Sequence, residues 1–430
     1  MDLDKIKAFF KNRGIDFGRV NLLGYGKIMQ SLSDFLAQNG VNCDIYDDKF
    51  EKISCDSFGN RLLPSKEIAN LSQSECESTL SIVSPGIPPF HALAKNTPNL
   101  ISEYDFFASI MPKSVWISGT NGKTTTTQMT TLLLRDFGAQ SGGNIGTPLC
   151  EMDCNATLWV LETSSFMLHY TNLVKPDIYA LLPIADDHIS WHGDFESYMD
   201  SKLKPLTMMS KNSSAIIPQI YIDSPQAKAF KGKLYLYDNA QSLANLFEIK
   251  ANLVRFKGAF LLDSILSLAI AKLITGKIDY DLMNSFKIDA HKVEEFLDAQ
   301  GRVFVDDSKA TNISAVEEAL KIYADKFIFL ILGGDNKGVS LAPLVRILAN
   351  YRTKIFAIGA CENHIKELCD ESHLNCEVCG DLQNAVAKIK REFKDCANQI
   401  CLLSPACASL DQFKSYAQRG EAFKRFALSI

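Results

Sequence analysis

The sequence predicts an α/β protein of three domains, each built on a mostly parallel sheet. Three observations lead there. Apolar, strand-like runs alternate with helix-period segments along most of the chain. A glycine-flanked turn ending in Lys123-Thr124 joins one such run to a helix. A chain of 430 residues is also too long for one small core, and about 150 residues per domain suggests two or three. The boundaries fall at 1–111, 112–287 and 288–430, with Pro112 as the first break and renewed alternation near residue 288.

The first block opens on the apolar run Val20–Leu23, which meets Gly24-Tyr25-Gly26. A helical pattern follows (Ile28, Leu32, Phe35, Leu36), halted by Asn39-Gly40, and then a second run, Cys43–Tyr46, ends in Asp47-Asp48. This is a βαβ unit with an acidic tip about 20 residues past its glycines, as in a dinucleotide or nucleotide-sugar fold. The domain therefore reads as Rossmann-like, with Asp47 a candidate substrate contact. Met29 stands where the fingerprint has its third glycine, which argues against close pyrophosphate approach and against NAD. Ile82-Val83-Ser84-Pro85-Gly86 reads as a strand entering a rigid loop.

The second block begins with Val115–Ile117 and the turn Gly119-Thr120-Asn121-Gly122-Lys123-Thr124-Thr125, followed by a helix to Phe137 that Gly138 terminates. Gly119 and Gly122 free the backbone to point N–H groups at an anion, Lys123 adds a point charge, and Thr124 offers a hydroxyl to Mg2+. An ordinary turn capped by Thr120 or Asn121 is the competing explanation, and it leaves the lysine and threonine without a reason. A standard P-loop needs glycine at position 117, where this chain has Ile117, so the loop is P-loop-type but belongs to a narrower group than nucleotide-binding proteins at large. Strands at Leu158–Leu161 and Ile178–Pro183 gather polar residues at their carboxyl ends, where open α/β sheets bind ligands. After Gly258, an apolar stretch to Ile274 reads as a buried helix.

The third block resumes the alternation and reads as a second Rossmann-like domain. A strand through Phe304 leads to a helix at Ala315–Ile322, and Phe327–Leu332, Lys354–Ile358 and Ile400–Leu403 are further strands. Helices fit Ala342–Asn350, residues near 362–370 and 382–394, and the end of the chain.

Composition narrows the function. Lys plus Arg number 45 against 50 Asp plus Glu, and a net charge of −5 leaves no footprint for nucleic acid or an anionic membrane. No apolar run approaches the roughly 20 residues of a membrane span, and the start Met-Asp-Leu-Asp-Lys lacks the regions of a signal peptide. The expectation is a cytoplasmic monomer. Twelve cysteines then read as reduced thiols. Cys361, Cys369, Cys376 and Cys379 are the one group close enough in sequence to suggest zinc, but the first pair lacks C-x-x-C spacing and the four read rather as core residues and exposed thiols.

Several polar residues fall at predicted strand ends. Glu162 can take the second position on a Mg2+ held by Thr124, as an acid does in other nucleotide-hydrolysing folds. His188, beside Asp187, is either a metal ligand oriented by its neighbour or a satisfied turn histidine, and the phosphate loop on the same sheet favours the first. Lys202 follows fourteen residues later and by itself reads as a solvated surface lysine. In the third block, Asp306-Asp307-Ser308-Lys309-Ala310-Thr311-Asn312, Gly333-Gly334-Asp335-Asn336-Lys337 and Ser404-Pro405-Ala406-Cys407-Ala408-Ser409 all follow strands. Caps and turns explain any one of them; the three together suit a carboxylate-bearing ligand.

These segments resemble the Mur ligases, the ATP-dependent amide ligases of bacterial cell-wall precursor synthesis. Gly119 to Thr124 matches that family's shortened ATP loop, and Gly143-Asn144-Ile145-Gly146, Glu162-Thr163-Ser164-Ser165-Phe166 and Asp187-His188 follow in family order. Asp307 to Asn312 and Ser404 to Phe413 are similar to the branch that adds D-glutamate. The resemblance spans all three domains. It implies that the first holds the UDP of UDP-N-acetylmuramoyl-L-alanine, the middle one ATP and one or two magnesium ions, and the third D-glutamate. It also implies that the alanyl carboxylate is activated as an acyl phosphate. On this basis Lys123, Glu162, His188 and Lys202 are catalytic, and Thr124, Glu162, His188 and Lys202 hold metal. Lys202 matches the lysine that the family carbamylates. Gly119 to Thr125, Lys292, Asp307 and Lys309 serve the nucleotide, Asn144, Ser164 and Asp47 the first substrate, and Thr311, Lys337, Ser409 and Leu410 the D-glutamate carboxylates.

The chain departs from the family pattern in places. Phe260-Leu261-Leu262-Asp263-Ser264 replaces an adenine-contacting asparagine, Lys292 stands where arginine is common, and Met167 replaces a polar residue near the substrate. Asp48-Lys49 and the incomplete glycine fingerprint at Met29 add a departure in the first domain, so adenine and uracil are expected to be recognised differently. Two other functions compete. One is a Mur-type ligase adding another amino acid, of which a diamino-acid-adding relative should carry an arginine-bearing recognition loop, or glutamylating folate, which should lack the first domain and the Ser404 to Ser409 segment. The other is a nucleotide-binding protein without turnover, against which Glu162, His188 and Lys202 weigh together.

Overall fold

The computed structural model describes residues 2–70, 79–97, 100–144 and 146–429. Among them the chain forms three six-stranded, mostly parallel sheets, the α/β architecture that the alternation predicts. The first contains β1 (Asp16–Leu23), β2 (Cys43–Asp47), β3 (Ser54–Cys55), β4 (Arg61–Pro64), β5 (Thr79–Val83) and β6 (Leu100–Ile101), in the order β3-β4-β2-β1-β5-β6. The second contains β7 (Ser114–Ser118), β8 (Ala139–Gly143), β9 (Leu158–Glu162), β10 (Ile178–Leu181), β11 (Ser214–Pro218) and β12 (Lys233–Tyr237), in the order β12-β11-β10-β7-β9-β8. The third contains β13 (Glu294–Leu297), β14 (Val303–Asp306), β15 (Phe327–Gly333), β16 (Thr353–Ile358), β17 (Cys376–Gly380) and β18 (Gln399–Leu403), in the order β13-β14-β18-β15-β16-β17. Among the described strands only the edge pairs β3–β4 and β13–β14 run antiparallel. No helix of the described residues is long and apolar enough to cross a membrane.

Element ends follow local chemistry. β10 stops at Leu181, short of Pro183, because the Pro183 carbonyl turns to accept the Thr120 N–H at 3.1 Å. The helix that opens at Lys123 tightens into a 3-10 turn at Arg135–Phe137, and Gly138 closes it at φ 81°.

The chain divides into two compact units. One comprises Met1–Ile184, Trp191–Arg255 and Leu261–Phe286 and contains the first two sheets; the other comprises Ala185–Ser190, Phe256–Phe260 and Lys287–Ile430 and contains the third. In the second unit, side-chain alternation along β15 puts Ile328, Leu330 and Leu332 into one core cluster and Phe329 and Ile331 into another, so both faces of the sheet are covered.

In the first unit one large hydrophobic cluster runs through both sheets, with Leu22, Ile45, Phe106, Trp116 and Trp159 all fully buried. The short helix Glu103–Phe106 sits in this core and carries its polar links. The Tyr104 hydroxyl donates to the Glu162 carbonyl at 3.0 Å, and the Asp105 carboxylate accepts the N–H groups of Asn172, Leu173 and Val174 at 2.8, 2.7 and 3.1 Å. Glu103 Oε1 accepts the Leu149 N–H at 3.2 Å, whereas Oε2 has no partner among the described residues. Burial lifts the Glu103 carboxyl from 4.5 to about 8. A carboxyl with a raised folded-state pKa keeps its full stability below pH 4.5 and loses it progressively up to about pH 8. Glu103→Gln keeps an oxygen for Leu149 and cannot ionise. Its stability relative to the parent should therefore rise by about 1.4 kcal/mol per pH unit across that window. Denaturant unfolding of both proteins at pH 5.5 and 7.5 checks this, and a gap that does not change with pH would refute it.

Candidate active site

In the first unit the turn after β7 is a cradle only glycine can line. Gly119 and Gly122 lie at φ 143° and 81°. A Cβ at Gly119 would stand 2.5 Å from Leu182 Cβ, and one at Gly122 would stand 2.3 Å from Asp263 Oδ1. Lys123 Nζ curls back to donate to the Gly119 and Thr120 carbonyls at 3.0 and 2.7 Å, so its charge is centred on the loop. Thr120 Oγ1 lies 2.9 Å from the Tyr198 hydroxyl, and Thr125 is buried in the first turn of the helix.

Glu162 ends β9 and is 2% exposed. Each of its carboxylate oxygens has a donor: Thr124 Oγ1 reaches Oε2 at 2.9 Å and Asn144 Nδ2 reaches Oε1 at 2.8 Å. Parallel pairing sets Glu162 beside Ile117 on β7 and Gly143 on β8, which brings three segments distant in sequence to one strand edge. A hydroxyl and a carboxylate at one locus beside a phosphate-type loop are hard oxygen donors, and they fit Mg2+. Ile145, between Asn144 and Gly146, lies outside the described residues.

Lys202 is not a solvated lysine. The helix Phe195–Leu203 turns Tyr198, Ser201 and Lys202 inward, and Lys202 is 1% exposed. Its Nζ donates to the Gly119 carbonyl at 2.7 Å and lies 4.7 Å from the centre of the Tyr198 ring. Ser164 caps the helix Ser165–Tyr170 by accepting the Met167 N–H at 3.2 Å. Asp47 closes the glycine turn after β1, accepting the N–H of Tyr25 at 2.6 Å and of Lys49 at 3.0 Å.

The remaining sequence-predicted residues belong to the second unit. His188 lies in Ala185–Ser190 at φ 56°, with its N–H on Asp187 Oδ1 at 2.9 Å and Nε2 3.5 Å from Asp187 Oδ2. Asp307, 6% exposed, accepts Ser404 Oγ–H at 2.7 Å and the Val293 N–H at 3.3 Å, and burial lifts its carboxyl to about 7. Lys309 Nζ reaches the Tyr416 hydroxyl at 3.2 Å, and Lys292 Nζ meets Asp289 at 3.0 Å. Thr311 precedes Asn312, whose Oδ1 caps the next helix through the Ala315 N–H at 2.9 Å. Lys337 is exposed after β15, Ser409 is buried after β18, and Leu410 is 66% exposed. β14, β18 and β15 are parallel neighbours, so all three polar segments leave one edge of the sheet, and Asp335 and Ala408 bridge two of them.

The model of the Mur ligase middle domain matches residues 117–236, the stretch that contains the loop, Glu162, His188 and Lys202. A UDP-N-acetylmuramoylalanine--D-glutamate ligase of Campylobacter jejuni subsp. jejuni serotype O:23/36 (strain 81-176) is 48% identical over 407 residues, 94% of this chain and 98% of that protein. The chain belongs to the UDP-N-acetylmuramoylalanine--D-glutamate ligase family. A ligase of the same name from Helicobacter pylori (strain ATCC 700392 / 26695) is 45% identical over 427 residues, 95% of this chain and 99% of that protein. MurF from Acinetobacter baumannii and the MurF ligase from Thermotoga maritima in complex with ADP share the fold. Their TM-scores are 0.60 and 0.57 at 13% and 16% identity, over 99% and 96% of this chain and 98% and 95% of those chains.

Within the D-glutamate ligase family pattern, three departures of this chain are core residues, whereas Lys292 is only partly buried and paired with Asp289. Met29 and Ser264 are fully buried and Met167 is 1% exposed. Sequence reasoning passes over Asp263, which is 3% exposed and accepts Thr126 Oγ1–H at 3.1 Å directly beneath Gly122. Its signal was a lone acid in the apolar helix Ala259–Thr275. Tyr198 carried no signal at all. The cysteines considered for zinc do not converge on one point: Cys361 Sγ faces Cys407 at 3.6 Å, the free thiols Cys369 and Cys376 hydrogen-bond to each other, and Cys379 donates to the Glu377 carbonyl. His291, Glu294 and Asp306 do cluster, but Lys424 Nζ, 2.8 Å from Glu294 and 3.9 Å from Asp306, already supplies the cation.

Proposed function

We propose that this chain is an ATP-dependent amide ligase that joins D-glutamate to UDP-N-acetylmuramoyl-L-alanine through an acyl phosphate, in cytoplasmic peptidoglycan precursor synthesis. The observation that carries the reading is the buried Glu162 carboxylate, bonded by Thr124 of the phosphate loop and by Asn144, in a chain 48% identical to a ligase of that name. Residues 1–111 are assigned to the uridine nucleotide, with Asp47 at its turn, residues 112–287 to ATP and residues 288–430 to D-glutamate.

A carboxylate is a poor acceptor for an amine, so it must first be given a leaving group. Asn144 and Ser164 orient the alanyl carboxylate, whose oxygen attacks the γ-phosphorus of ATP as the bond to ADP breaks. Lys123 neutralises charge on the phosphoryl oxygens, where stabilisation is mostly positioning and electrostatics. Thr124, Glu162, His188 and a carbamylated Lys202 would hold Mg2+, which supplies further neutralisation of phosphate charge. Lys292, Asp307 and Lys309 serve the nucleotide. Thr311, Lys337, Ser409 and Leu410 hold D-glutamate, whose amine attacks the acyl carbon; phosphate leaves, the amine gives up its proton, and an amide is formed.

The test is phosphate release from Mg-ATP with UDP-N-acetylmuramoyl-L-alanine across a panel of D- and L-amino acids. Release that depends on D-glutamate is expected. Equal release without any amino acid would sink the reading, and release with another amino acid would reassign the third domain.

A further inference from the structure

Two thiols of the second unit meet behind the segment assigned to D-glutamate. Cys361 stands at the N-terminus of the helix Glu362–Glu371, and Cys407 lies two residues before Ser409. Their sulfurs are 3.6 Å apart, and the residues are 8% and 1% exposed. The loop that carries Cys407 is tied on all sides. Ala408 and Asp335 exchange backbone hydrogen bonds at 2.9 Å in each direction, Arg419 Nη2 donates to the Cys407 carbonyl at 3.0 Å, and the Ala360 N–H donates to Asp411 Oδ2 at 2.9 Å. The Cys361 N–H in turn donates to the Gly334 carbonyl at 3.2 Å. A Cβ on Gly334 would meet the Ala408 carbonyl at 2.2 Å, so the two segments lie in backbone contact.

We propose that Cys361 and Cys407 are an oxidation site, whose disulfide displaces Ser409 and weakens amino-acid binding. The effect on binding rests on the D-glutamate reading above; the cross-link does not. A hydrogen bond from the Cys407 thiol holds the Cys361 thiol below its ordinary pKa, and the helix N-terminus favours the thiolate there as well. Cys361 is therefore the attacking sulfur. It displaces one thiolate from a small-molecule disulfide, forming a mixed disulfide. Cys407 then loses its proton, attacks the Cys361 sulfur and expels the second thiolate. The protein dithiol is oxidised by two electrons, the reagent is reduced to two thiols, and these take up the two protons. A disulfide holds its sulfurs at about 2.05 Å, so one backbone segment must move. Arg419, Asp335 and Asp411 restrain the loop at several points, which directs the strain along it to Ser409 and Leu410.

The experiment treats the full-length protein with oxidised glutathione, blocks residual thiols and maps cross-linked peptides by mass, while initial rates are measured against D-glutamate and ATP. The expected result is a Cys361–Cys407 peptide and a rise in the KM for D-glutamate of roughly ten- to a hundredfold, the scale of an ångström-level misplacement. Dithiothreitol should reverse it, and the KM for ATP should stay near its reduced value. Reduced Cys361→Ser should keep the parent's KM and resist the oxidant. No such peptide, or the peptide with an unchanged KM, overturns the proposal. So does equal loss in Cys361→Ser, which would point to Cys369 and Cys376 at the other end of the helix. Failure of the ligase reading shows earlier, as reduced protein without D-glutamate-dependent phosphate release, and the mass measurement still judges the cross-link.

Discussion

Glu162→Gln lowers kcat by on the order of a hundred- to a thousandfold, the usual cost of removing one preorganised electrostatic group from a transfer site. The substitution preserves shape and removes charge. Both oxygens of Glu162 are occupied, by Thr124 at 2.9 Å and Asn144 at 2.8 Å, and the amide can accept from only one of them. The structural loss is one hydrogen bond, about 1 kcal/mol. A small change in melting temperature with a large change in kcat is therefore the signature of a charge requirement. Under the proposed metal assignment, the magnesium concentration for half-maximal rate should also rise. Unaltered kcat and magnesium dependence would discard Glu162 as a site residue.

Lys202→Ala abolishes most activity, again by at least about a hundredfold, and formate or acetate restores part of it. The reasoning concerns what the lysine becomes. Its amine is 1% exposed and 2.7 Å from the first carbonyl of the phosphate loop. Addition of carbon dioxide to the neutral amine forms an N–C bond, releases a proton and leaves a carboxylate at that position. The truncated side chain leaves room for a small carboxylate to stand in. Lys202→Arg keeps positive charge and cannot form the carbamate, so it should stay inactive. If Lys202 only packs against Tyr198 and Gly119, arginine should retain more activity than alanine and acetate should do nothing. Rates of the three proteins with and without acetate separate these outcomes.

Much of the first and third sheets was legible because their central strands are long apolar runs, as in Phe327–Gly333, ended by glycine or by polar caps. The edges were not. β8 reads Ala-Gln-Ser-Gly-Gly, with almost no strand preference of its own, and exists through its pairing with β9. β13, Glu-Glu-Phe-Leu, is a short antiparallel edge whose local pattern gives no direction. At the site, loop residues that need glycine conformations announced themselves, whereas long-range partners could not. Neither the Thr120–Tyr198 contact nor the one between Asp263 and Thr126 has a local sequence signature, because each joins elements 78 or 137 residues apart. Lys202 was placed by family resemblance alone; on its own helix it was one polar residue among several.

The division of the chain also bears on engineering. Because 185–190 and 256–260 belong to the second unit, the chain passes between the units at 184/185, 190/191, 255/256, 260/261 and 286/287. No single cut releases either unit whole. A fragment ending at residue 286 would carry Asp187 and His188 away from Asn312, whose side-chain amide reaches Asp187 at 3.5 Å. Chimeras meant to change the amino acid accepted should therefore graft three pieces, the long C-terminal stretch together with both short inserts. Swapping at the 286/287 junction alone would separate a histidine from the body that positions it.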